Sequence, residues 1–198
     1  FLLLTSLLPA LAFQADDTVP VPPIQSEGES YVINISEDPD NGLQLEQFVK
    51  LCQEATNFNF TYTTETQALL AQQQVRLLGT KRIPKRDFYS WFQIMMVINN
   101  FACVEIGPPH LSVIQIQSLQ ASGGNRGTIK TNAKLVDPED VEDYADQPAT
   151  LITTTVTLKN TDVRQLSTNL RPLLQDPATE NIMNAGQSNS LILTGFGS

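Results

Sequence analysis

The sequence predicts an α+β fold made of two small domains, each a mixed sheet with helices packed on it. Three observations predict it. Short segments such as 31–35 (YVINI) and 58–62 (FNFTY) alternate apolar and polar residues at period two, the pattern of half-buried strands. Between the strands, apolar residues recur at three- and four-residue spacing, the pattern of amphipathic helices. A Gly-containing, acidic stretch at 118–150 then separates this part from a second Thr/Val-rich strand followed by a helix.

The chain has 198 residues and a mass of 21.8 kDa, the length of one ordinary domain or two small ones. Lys and Arg number 12 against 21 Asp and Glu, a net charge of −9, so a broad surface for nucleic acid is disfavoured. Hydrophobic residues make up 41% and charged residues 17%, which suits a folded chain better than a disordered acidic one. His110 is the single histidine, and with Cys52 and Cys103 it makes a poor zinc set. No cofactor or metal is expected.

Residues 1–14 open with FLLLTSLLPALAF, an apolar run too short to span a bilayer. Ala10 and Ala12 form a small-x-small pattern, so this is read as a partial signal peptide and the protein as exported. Under export, Cys52 and Cys103 are either one disulfide or two buried thiols; spacing leaves both open. Residues 15–30 are Pro-rich and acidic, which predicts an extended tether.

The first folded unit spans 31–117. A strand at 31–35 ends in the turn residues EDPDNG. Leu45, Phe48, Val49, Cys52 and Ala55 then form one helical stripe, 58–62 is a second strand, and 75–78 offers a short third. Pro84 suits the first turn of a second helix, whose stripe is Phe88, Trp91, Phe92, Met95 and Met96. Strands at 101–106 and 111–117 flank Gly107, Pro108, Pro109 and His110, a hairpin connection. The order is βαββαββ.

Residues 118–150 hold few large apolar side chains and predict an acidic interdomain linker. The second unit, 151–198, begins with a strand at 151–158. A helix over 163–174, capped near 160–162, follows, with Val163, Leu166, Leu170, Leu173 and Leu174 as its buried stripe and Pro172 kinking or shortening it. A hairpin at 181–184 and 190–194 completes a βαββ order. One helix on three strands leaves a face uncovered, so a further helix is expected after Ser198.

Candidate chemistry is sparse. Gly195, Phe196 and Gly197 lack the third glycine of a nucleotide loop and read as a chain-end turn. Asp137, Glu139, Asp140, Glu142 and Asp143 lack EF-hand spacing and read as solvated linker. Lys81, Arg82, Lys85 and Arg86 form a basic cluster, either a solvated face or a contact for an anionic partner surface. Asn34 and Asn59 begin glycosylation tripeptides, but both lie in expected strands. No Ser, Cys or Lys stands with a partner base, and the chain is not expected to be an enzyme.

The passage YVINI, helix, NFNFTY, helix, NNFACVEIGPPHLSVIQI resembles the first periplasmic domain of bacterial secretins, a fold shared with the signalling domain of TonB-dependent receptors. The later passage TTTVTLKNTDVRQLSTNLRPLL followed by QSNSLILTG is similar to the next secretin domain, a ring-building module of KH-like fold. Secretins are outer-membrane channels of type II secretion systems and type IV pilus machines. The resemblance implies a periplasmic segment that docks an inner-membrane protein, forms a ring with other copies of itself and passes exported cargo. It also implies outer-membrane anchoring through a domain beyond this chain. A type IV pilus secretin or a TonB-receptor signalling domain is the alternative.

Without catalytic groups, a small α+β domain can act through an open sheet edge, whose unpaired N–H and C=O groups accept a strand from another chain. In the first unit the expected docking edge is Tyr31, Val32 and Asn34. In the second, Thr155, Thr157, Asp162 and Arg164 are the expected ring interface, a heterologous contact that closes by rotation.

Overall fold

The computed structural model describes residues 22–35, 42–108, 110–120 and 126–197. The signal peptide expected at 1–14, the start of the tether at 15–21, turn residues 36–41, Pro109 and residues 121–125 lie outside them. The architecture is α+β with small mixed sheets, as the sequence predicts.

The first domain starts earlier than its sequence suggests. Strands β1 (Ile24–Glu27) and β2 (Ser30–Ile33) form an antiparallel hairpin, with Gly28 at φ +57° in its turn. Residues 22–30 are therefore not a tether along their whole length. The Asn34 N–H donates to the Pro23 carbonyl at 2.9 Å, and Ile24 packs against the core. One partly buried apolar residue beside two prolines gives no period to read, which is why the strand is invisible in the sequence.

Strand β3 (Leu43–Gln44) leads into α1 (Leu45–Thr56), which buries Leu45, Phe48, Val49 and Cys52. Asn57, at φ +60°, ends the helix and donates its N–H to the Gln53 carbonyl at 2.8 Å. Strand β4 (Phe60–Tyr62) follows. The polar Gln-rich stretch then forms α2 (Thr64–Gln72), capped by the Thr63 hydroxyl, which accepts from Thr66 N–H at 3.2 Å. Only Thr66 and Leu70 are buried on α2, too few to make a visible apolar stripe.

Strand β5 (Gln74–Val75) pairs with β3, and β6 (Lys81–Pro84) pairs antiparallel with β2. Pro84 thus closes a strand and does not open the helix. A 3-10 turn, Lys85–Asp87, intervenes before α3 (Phe88–Ile98). Strands β7 (Phe101–Ile106) and β8 (Val113–Ser118) are the expected hairpin, and β4 joins β8 in parallel.

The core is aromatic. Phe48, Phe88 and Phe92 are fully buried, with ring centroids 5.2 Å apart for Phe48 and Phe92 and 5.3 Å for Phe60 and Phe92. Each such ring contributes about 1.5–3 kcal/mol by burial alone. Met95 and Met96 pack into the same core. Cys52 and Cys103 are both buried and both free thiols, which decides the question that spacing left open.

The stretch 118–150 is not simply a linker. It forms α4 (Arg126–Thr131), β9 (Lys134–Leu135) and a 3-10 helix, Pro138–Tyr144, with Ile129, Val136 and Ala149 buried. Three isolated apolar anchors are below the reach of any sequence period. Strand β10 (Leu151–Thr157), α5 (Val163–Leu170), β11 (Asn181–Asn184) and β12 (Ser190–Phe196) follow in the expected order. α5 ends at Leu170, short of the expected 174: Pro172 lies in a 3-10 turn, Arg171–Leu173, and Leu173 is exposed and not part of a buried stripe. The second sheet runs β11-β12-β10-β9, with β9 supplied by the stretch before it. Gly195 and Phe196 belong to β12, opposite Ile152 and Leu151, so they are strand and not a terminal turn.

Candidate docking surface

The first sheet runs β1-β2-β6, which places the expected docking residues in its middle strand. Tyr31 and Val32 are paired on both sides, Tyr31 with Ser26 and Ile83, Val32 with Gln25 and Arg82. They are not an edge, and Asn34 is tied to Pro23. Tyr31 works instead as a packing residue. Its ring lies 4.7 Å from that of Phe88, and its hydroxyl donates to the Ala55 carbonyl at 2.8 Å.

The free edges follow from register. The Asn34 to Pro23 bond makes Pro23, Gln25 and Glu27 the residues whose backbone faces β2, so the N–H and C=O groups of Ile24 and Ser26 point outward. On the far side, the Lys85 N–H donates to the Glu29 carbonyl at 2.9 Å, so Arg82 and Pro84 face outward from β6. Pro84 has no N–H to offer, and the basic cluster surrounds it. Arg82 pairs with Glu27 at 2.7 Å, Arg86 with Asp87 at 3.3 Å, and Lys85 stands 5.6 Å over the Tyr31 ring. A proline and exposed cations blunt the β6 edge, while among the described residues β1 carries an open one.

In the second sheet the expected ring residues separate into two places. The Leu158 N–H donates to the Asn189 carbonyl at 3.1 Å, and the Val136 N–H to the Thr153 carbonyl at 2.9 Å. Odd-numbered residues of β10 therefore direct their backbone toward β9, which pairs only with Ile152 and Thr153. Past its end, and among the described residues, Thr155 and Thr157 present an open edge with exposed side chains. Thr157 Oγ1 stays bonded to Ser190 Oγ across the sheet at 2.8 Å. Asp162 and Arg164 lie elsewhere, at the start of α5. The Asp162 carboxylate accepts the N–H of Arg164 at 2.9 Å and of Gln165 at 3.4 Å, which makes it a helix cap.

A cavity of about 230 Å³ opens between the first unit and the stretch that ends at Thr150, lined in part by Phe58, Tyr89, Cys103, Glu105 and Thr150. Burial pushes the Cys103 thiol up to about 12 and the Tyr89 hydroxyl up as well, so neither is an anion at neutral pH. Among the described residues no group of three His, Cys, Asp or Glu is placed to hold a metal ion, and no helix is long and apolar enough to cross a membrane.

No protein-family model and no curated protein matches the sequence. Solved structures do match. The outer membrane complex of the Klebsiella pneumoniae type II secretion system, a structure of PulD, PulS and the PulC HR domain, aligns with 79% of this chain at 16% identity and a TM-score of 0.59. The N-terminal domain of the secretin XcpQ from Pseudomonas aeruginosa aligns at 15% identity over 82% of this chain and 56% of its own, TM-score 0.35. The GspC-GspD complex of enterotoxigenic Escherichia coli aligns at 15% identity over 85% of this chain and 90% of its own, TM-score 0.34. This chain spans 23% of the Klebsiella chain that it matches. On the Klebsiella likeness, the chain carries a fold also present in the outer membrane complex of a type II secretion system.

Proposed function

We propose that this chain is the periplasmic, non-catalytic N-terminal segment of a secretin, the outer-membrane channel of type II secretion. It docks an inner-membrane component through its first domain and meets other copies of itself in a ring through its second, KH-like domain. Exported proteins are its cargo. The docking site is the outer edge of β1, not Tyr31, Val32 and Asn34. The observation that carries the reading is the outward backbone of Ile24 and Ser26 at a sheet edge, in a fold like that of PulD, a secretin solved together with a domain of PulC. Strand addition there would draw its affinity from main-chain hydrogen bonds. Thr155 and Thr157, at the open end of β10, supply the ring edge, and Asp162 caps α5, which packs against β11 and β12.

The test is binding of the periplasmic domain of the inner-membrane partner to this chain, measured by calorimetry. Micromolar or tighter binding that weakens when Ile24 or Ser26 is replaced by proline supports the reading. Unchanged binding by both variants removes β1 as the site.

A further inference from the structure

The stretch between the domains is pinned on both sides. Gln93, on α3 and 0% exposed, donates its amide N–H to Thr150 Oγ1 at 3.2 Å, and its amide oxygen accepts the Ala149 N–H at 3.1 Å. Ala149 in turn accepts the Cys103 N–H at 2.9 Å, so the chain adds to the outer edge of β7 just before it becomes β10. Lys134, on β9, reaches the Glu105 carboxylate on β7 at 2.5 Å and stands 5.3 Å over the Tyr144 ring. On the second-domain side, the Gly197 N–H donates to the Thr150 carbonyl at 3.1 Å and the Val136 N–H to Thr153.

Thr150 is thus shared. Its hydroxyl serves the first domain's helix and its carbonyl the second domain's last strand. A buried amide with donor and acceptor both used is costly to pull apart, because separation leaves unpaired polar groups on each side of the break. Composition suggests a linker at 118–150; the bonding makes its second half a strap.

We propose that residues 134–150 lock the two domains into one rigid body through Gln93, so that a force applied to the first domain turns the second with it. The lock itself stands without the docking reading; only the idea that a partner on β1 would tilt the ring-forming domain rests on it.

Spin labels introduced by Glu54→Cys on α1 and Gln165→Cys on α5, both exposed positions, test the lock by pulsed electron resonance on the whole chain. The native thiols are buried. A single narrow distance is expected, and a broad distribution would overturn the proposal. Gln93→Leu, matched in size and checked for folding by circular dichroism, is expected to lose the narrow peak and the exchange protection of the Cys103 N–H. A folded variant that keeps both would show that Gln93 is not the lock. If that variant does not fold, exchange in the unaltered chain decides: fast exchange at Cys103 refutes the strap and slow exchange supports it.

Discussion

Lys134 Nζ lies 2.5 Å from Glu105 Oε2, joining β9, the border strand of the β11-β12-β10-β9 sheet, to β7, an outer strand of the β4-β8-β7 sheet. The hydrogen bond from Lys134 holds the Glu105 carboxyl below the usual carboxylate range. For Lys134, partial burial works against the ammonium, but the Glu105 carboxylate and the Tyr144 hydroxyl outweigh it and hold the group above the usual lysine range. A lowered carboxyl stabilises the fold above its unfolded value, about 4.3, and loses that contribution as pH falls through its folded value. A raised ammonium stabilises below its unfolded value, about 10.4, and loses that as pH rises through its folded value. Both groups are about a third exposed, so the pair contributes less than about 1 kcal/mol. Lys134→Ala should lower Tm at pH 7 by about 2–4 °C at most, and the gap to the unaltered chain should close below about pH 4. Thermal melts at both pH values check this.

Cys52 and Cys103 should both resist a thiol reagent in the native state. Burial raises both thiols, Cys103 to about 12, so the reactive thiolate is scarce at pH 8 and also screened from solvent. Mass spectrometry after brief alkylation is expected to find no adduct before denaturation and two after it. Prompt labelling of the folded chain would contradict the burial.

Asp162 should matter through the helix it caps. Asp162→Ala is expected to cost about 1 kcal/mol of stability, while Asp162→Asn, whose amide oxygen can still accept, should recover most of it. Chemical denaturation separates the two. An equal loss in both variants would point to the charge of Asp162 and away from its cap.

Thr154 buries its hydroxyl with no hydrogen-bond partner, alone in this among the described residues. Thr154→Val replaces the unpaired oxygen with a methyl of similar size and should raise stability by about 1 kcal/mol or more. A drop in the denaturation midpoint would mean that the hydroxyl has a partner in solution.

Ser26→Pro should separate docking from folding. It deletes an outward N–H on an edge strand, where proline is tolerated, so Tm should change little. One main-chain hydrogen bond is worth about 0.5–1.5 kcal/mol net, so partner affinity should fall up to about tenfold. Calorimetry beside a thermal melt reads both.

The fold class and most long elements are legible in local residue patterns. The stripe Leu45, Phe48, Val49 and Cys52 and the stripe Phe88, Phe92, Met95 and Met96 are local patterns that a helix must bury, and both lie in the core. The hairpins β7–β8 and β11–β12 are set by turn residues between apolar runs, again a local matter. Only the tertiary structure decided which strand is an edge. Tyr31 and Val32 alternate as an edge strand would, but whether their backbone is free depends on β1 and β6, one hidden among prolines and one fifty residues away. The same holds for residues 134–150. Their lone anchors, Lys134, Val136 and Ala149, have no period of their own and acquire meaning from Glu105, Thr153 and Gln93, partners that only folding brings near.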